Sequence, residues 1–98
     1  MRIIFSPEAR FEFEEAERYY NRLAAYLGKE FRAEARSALP RLQRWPLAFA
    51  IESDEIRRLL LSRFPYKLLY AIENDHIYVV AVAHQHREPN YWVDRIGP

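Results

Sequence analysis

One change of period constrains this chain more than any other feature. Up to about residue 44 its apolar side chains recur at three- and four-residue steps, and from about residue 56 they alternate every second residue or run on without a break. The first step lays one stripe along a helix, and the second lines one face of a strand. Each period occurs as a single block, which predicts an α+β fold with a helical N-terminal half and an antiparallel sheet in the C-terminal half. The 98 residues suffice for one core. A single domain spanning 1–98 is expected, without repeats or a linker.

Met1 to Phe5 is apolar with β-branched Ile3 and Ile4, so it reads as a short strand. Ser6-Pro7 follows, the cap and first-turn pair that opens a helix. Phe13, Ala16, Tyr20, Leu23, Ala24 and Leu27 mark the buried stripe of a helix over about 7–27, with Gly28 as the residue that stops it. A second helix over about 29–44 carries Phe31, Ala35, Leu39 and Leu42, and Pro40 predicts a kink or break in it. Trp45-Pro46 closes the helical half and 47–55 reads as a loop. Strands are predicted over about 57–63, 66–73 and 76–84, the last two joined by a tight turn at Asn74-Asp75. Residues 76–84 are apolar on both faces, the mark of a central strand covered on both sides. Past Gln85, the segment Asn90-Tyr91-Trp92-Val93 makes a short helix or an extended arm.

Composition narrows the chemistry. The chain has no cysteine, which removes disulfides, thiolate metal sites and cysteine nucleophiles. No apolar run is long enough for a signal peptide or a membrane span, so a cytoplasmic location without membrane contact is expected. Gly28 and Gly97 are the only glycines, so no phosphate-binding loop exists. No serine lies in a nucleophile elbow, and His84 and His86 lack a carboxylate partner at ligand spacing, so neither a cofactor nor a metal is expected. Fifteen basic side chains against fourteen acidic ones give +1, far from the excess of a protein that lives on nucleic-acid phosphates. The balance is uneven: residues 1–55 hold nine basic and ten acidic groups, and residues 56–98 hold six and four together with all three histidines. An anionic partner would meet the C-terminal half.

What remains is a set of polar and aromatic groups at strand ends: Arg63, Lys67, His84, His86, Arg87, Tyr91 and Trp92. Taken singly, they read as solvated sheet positions and as aromatic staples of the tail. Taken together they have the side chains that clamp phosphate or move protons.

The segment Arg57-Arg58 through Phe64-Pro65-Tyr66 to Tyr70, followed by a hairpin and the ending Ala83-His84-Gln85-His86-Arg87-Glu88-Pro89-Asn90-Tyr91-Trp92, resembles the RelE/ParE toxin family. Glu15-Ala16-Glu17-Arg18-Tyr19-Tyr20, Gly28 to Phe31 and Pro46 extend the likeness over nearly the whole chain. It implies a short N-terminal strand, a two-helix hairpin and an antiparallel sheet of about three further strands. It also implies a plasmid-stabilisation toxin of a type II module, neutralised by a cognate antitoxin. ParE-like members of the family poison DNA gyrase, and RelE-like members cut mRNA on the ribosome. For the nuclease branch the resemblance matches the cleaving positions to Lys67, Gln85 and Tyr91; glutamine stands where that branch carries an arginine, so Arg87, or a protonated His84 or His86, would have to join Lys67 and Tyr91 in catalysis. That departure and the low net charge favour the ParE-like branch. Arg63, His84, His86, Arg87, Tyr91 and Trp92 then form the target-binding surface. Phe11 and Tyr19, off the buried stripe of the first helix, are expected to meet the antitoxin.

Overall fold

The structure is a computed structural model, and it describes residues 1–96. Gly97 and Pro98, the last positions of the expected 1–98 domain, lie outside the described residues. The elements run β1 (Arg2–Phe5), α1 (Pro7–Leu23), α2 (Ala25–Arg44), β2 (Ile51–Ser53), β3 (Ile56–Leu60), β4 (Tyr66–Ile72) and β5 (His76–His84). A 3₁₀ turn at Val93–Arg95 follows. The five strands form one sheet in the order β1-β5-β4-β3-β2. The C-terminal strands pair antiparallel. β1, in contrast, joins β5 in parallel, Arg2 opposite His76 through Phe5 opposite Val79.

Both helices cover one face of the sheet. Ala9, Ala16, Phe31, Ala38 and Leu42 from the helices meet Leu59, Leu68, Tyr70, Ile77, Val79 and Val82 from the strands. A smaller cluster on the other face, Ile56, Leu69, Val80, Ala81 and Ala83, is covered by Trp92 of the tail. This explains the unbroken apolar run in β5, which needs apolar side chains on both faces. The ladder between β4 and β5 slips by one residue: Leu69 faces Ala81 while Tyr70 faces Val79, leaving a bulge at Val80.

Several boundaries differ from the sequence reading. The first helix ends at Leu23, because Ala24 is extended (φ −167°, ψ 137°) and α2 begins directly after it. Gly28 therefore lies inside α2 rather than beyond α1. Its missing side chain makes room for Asn21, since a Cβ there would sit 1.8 Å from the Asn21 Oδ1. Leu23, placed in the buried stripe by its spacing, is 59% exposed at the helix end. Pro40 does not break α2, which runs through it to Arg44. Both Pro40 and Arg36, four residues earlier, are exposed, so water can satisfy the carbonyl the proline leaves free. Part of the expected loop 47–55 is β2, a short edge strand paired to β3 with an irregular register. β3 itself stops at Leu60, before the expected end at Arg63. The Glu34 carboxylate takes the backbone N–H groups of Ser62 and Arg63, and the chain bends so that Phe64 packs edge-on against Phe31 at 5.3 Å. Among the described residues the positive-φ positions are Asp54 and Asn90, not Asn74 or Asp75 in the turn between β4 and β5.

Candidate functional site

The strand register decides which side chains can meet. Tyr66 and His84 face each other across β4 and β5, on the helix side of the sheet. Their rings pack edge to face at 5.1 Å, and the Tyr20 ring of α1 stands 6.2 Å from Tyr66. Pro65 at the preceding bend and His86 and Arg87 just past β5 complete an open groove with Tyr19 and Tyr20. Two histidines, an arginine and three tyrosine rings converge there. The His86 backbone N–H donates to Nδ1 of His84 at 3.0 Å, which makes that nitrogen the acceptor and leaves Nε2 to carry the proton in the neutral ring. Burial raises the pKa of Tyr20 and of Tyr66 above the ordinary phenol value, so both hydroxyls stay protonated at neutral pH.

A second constellation adjoins the groove. Past Phe5, β1 no longer covers the edge of β5, and the bulge at Val80 turns backbone groups toward that open edge. The Val80 carbonyl accepts from the Ser6 hydroxyl at 3.2 Å and from Arg95 Nη1 at 3.1 Å. The Val82 N–H donates to Glu12 Oε1 at 3.0 Å. Arg95 grips the same carboxylate with both terminal nitrogens, each at 2.9 Å, and the Tyr91 hydroxyl donates to Oε2 at 2.7 Å. Arg87 stacks its guanidinium 3.9 Å over the Tyr91 ring and reaches Glu12 Oε2 at 4.0 Å. Glu12 thus ties the tail to α1 and to the sheet edge. Burial, with the Glu12 carboxylate next to it, pushes the Tyr91 hydroxyl far above the ordinary phenol value. A phenol held as a donor to a carboxylate makes a poor proton acceptor at neutral pH.

The residues expected to act together do not all meet. His84, His86 and Arg87 share the groove, and Tyr91 contributes its ring beneath Arg87. Lys67 sits on the opposite face of β4, where its Nζ pairs with Glu52 Oε2 at 2.7 Å, beside the Arg58–Glu52 pair. Arg63 belongs to another corner: its guanidinium pairs with Glu30 at 2.6 Å. Gln85 is exposed and continues the ladder, its N–H donating to the Pro65 carbonyl at 2.8 Å. Trp92 is 3% exposed and serves as the lid of the smaller core cluster rather than as part of a surface. Phe11 and Tyr19 are exposed on α1 and line, with His84 and Arg87, a groove continuous with the first. Among the described residues no three histidine or carboxylate side chains converge as a metal site would require.

Glu12 and Arg95 did not stand out in the sequence. Glu12 lies three residues after Ala9 and four before Ala16, both buried, so a carboxylate there must find a cation. Its spacing was the available signal, although the cation's position in the tail was not readable.

Residues 3–89 match the family described as "ParE toxin of type II toxin-antitoxin system, parDE". Comparison with curated proteins gave no match. Among solved structures, one described as the chromosomal ParDE TA system from P. aeruginosa superposes with a TM-score of 0.64 at 12% identity, covering 86% of this chain and 95% of its own. At that identity the likeness speaks for the fold. With the family matching most of its length, this chain belongs to the ParE toxins of type II toxin–antitoxin systems.

Proposed function

We propose that this toxin inhibits growth by binding DNA gyrase, and that a cognate antitoxin neutralises it by covering the same groove. The observation that carries the reading is the fixed tail. Tyr91 donates to Glu12, Arg87 is stacked on Tyr91, and Trp92 is sunk in the core, so the tail presents an aromatic and cationic surface held by its own contacts. Such preformed anchors are what a protein interface uses, because few side chains need ordering on contact. Metal-free RNA cleavage needs instead a base, an acid and free positive charge around one phosphate. Here Lys67 is neutralised on the far face, the Tyr91 hydroxyl is a committed donor, and Gln85 carries no charge.

The antitoxin's part follows from Phe11 and Tyr19. They are 59% and 48% exposed and share a groove with His84 and Arg87, so a segment seated on them would also cover the target-binding residues. The test is to induce the toxin without its antitoxin and follow gyrase-trapped DNA breaks beside the integrity of translated mRNA. Breaks with intact mRNA, weakened by Arg87→Ala, are expected. Codon-positioned mRNA cuts that vanish in Lys67→Ala, with gyrase untouched, would overturn the reading in favour of a ribosome-dependent endonuclease.

A further inference from the structure

The donors around Glu12 form a site in their own right. Arg95 presents a planar fork, Tyr91 a hydroxyl, Val82 a backbone N–H and Arg87 a second guanidinium, all directed at one carboxylate. They come from β5 and the tail, whereas the acceptor comes from α1. The cradle is therefore assembled by one part of the chain and filled by another. Guanidinium forks, hydroxyls and backbone amides are the groups that bind any oxyanion, phosphate as readily as carboxylate. With Glu12 in place the cluster holds two guanidinium groups and one carboxylate, a net of +1. Without that charge it would hold +2 and have no resident anion.

Building on the reading that this surface meets a protein, we infer that Glu12 is a resident anion that fills an oxyanion site made by Arg87, Tyr91, Arg95 and the Val82 N–H. In that position it bars nucleic-acid phosphate from the surface, and it sets the partner class. The side chains of Glu12 and Arg95 are 13% and 18% exposed, so an incoming phosphate would have to displace a carboxylate from a pairing that water reaches poorly. Glu15, one turn further along α1, makes a suitable contrast. It pairs with Arg18 at 2.6 Å, outside the cluster.

The test compares the unaltered chain with Glu12→Gln and Glu15→Gln, which remove the same charge from the same helix. A single-stranded oligoribonucleotide is titrated by fluorescence anisotropy, and inorganic phosphate by the side-chain NMR resonances of Arg95. Glu12→Gln keeps one oxygen, which can serve the Val82 N–H, while its amide N–H can donate to the Tyr91 hydroxyl oxygen, and a melting curve checks that the tail stays docked. One recovered charged hydrogen-bond set should tighten oligoribonucleotide binding by about tenfold or more in Glu12→Gln, and by no more than about twofold in Glu15→Gln. Adding Arg95→Met to Glu12→Gln should cancel the gain. Equal gains in the two glutamine variants would overturn the inference, since net charge alone would then explain them. So would phosphate shifting the Arg95 resonances of the unaltered chain, a measurement that needs no variant to fold. No gyrase is present in these assays, so a failure of the gyrase reading would be seen separately, in the induction experiment on the unaltered toxin.

Discussion

Replacing Trp92 by alanine separates a packing role from a binding role. The side chain is 3% exposed and closes the cluster of Ile56, Leu69, Val80, Ala81 and Ala83 on the sheet face away from the helices. A buried tryptophan covers about 150–250 Å², roughly 4–6 kcal/mol at about 25 cal/mol per Å², and since alanine keeps the Cβ the substitution removes roughly 3–5 kcal/mol. Net domain stabilities are about 5–15 kcal/mol, so this one change takes a large share. For a domain of this size each kcal/mol moves the melting temperature by about 4–8 °C, which predicts a fall of about 12–40 °C. Circular dichroism melts and urea titrations measure it. Trp45→Ala is the matched control: that ring is 54% exposed with the Arg44 guanidinium 5.0 Å above it, and its loss should change stability by less than about 1 kcal/mol. If Trp92→Ala melts within a few degrees of the parent yet no longer acts on its target, Trp92 is a contact residue and the packing argument is wrong.

Further outcomes follow from the same contacts. Gly28→Ala should be neutral or stabilising by up to about 1 kcal/mol, because Gly28 is interior to a helix and exposed Asn21 can swing aside; a clear loss in a urea melt would mean that Asn21 is fixed. Tyr20, Tyr66, Tyr70 and Tyr91 all have raised pKa values, so their contribution to stability is complete below about pH 10 and is lost as the pH rises further. An ultraviolet titration should show Tyr91 ionising well above the ordinary phenol range, and ionisation at about pH 10 would contradict the Glu12 contact. Asp75 is held below the usual carboxylate value, chiefly by its hydrogen bond with His76, so its small contribution is present above about pH 4 and lost on acidification. His76→Ala should return the Asp75 titration, followed by NMR, toward the ordinary value. Lys67→Met should leave toxicity unchanged in a growth assay, as the ammonium is engaged with Glu52 on the far face of the sheet.

Periodicity alone located both helices and the three long strands, because each buries a continuous face and long burial leaves a repeating pattern. Short or mixed elements leave none. β2 is a three-residue edge whose Ile51 is exposed, and β1 pairs through backbone groups that carry no residue signature for parallel or antiparallel neighbours. Gly28 misled because glycine serves two purposes, ending helices and admitting a neighbour, and only the position of Asn21 distinguishes them here. The site was half legible. His84, His86, Arg87 and Tyr91 follow one another at the end of the last strand, so chain connectivity gathers them. Lys67 lay on the wrong face by the strand alternation that put Tyr66, Leu68 and Tyr70 together, and that alternation was already visible in the sequence. The Glu12–Arg95 pair joins residues 83 positions apart, and no local pattern reports a contact of that span.

The groove of Tyr19, Tyr66, His84 and Arg87 is proposed to bind a protein rather than to cut RNA. The most direct test adds purified toxin to gyrase and supercoiled plasmid, and in parallel to ribosomes translating a defined mRNA. Gyrase-bound broken DNA with the mRNA intact is expected, reduced by Arg87→Ala and abolished when the antitoxin is present. Intact DNA together with mRNA cut on the ribosome would contradict the proposal.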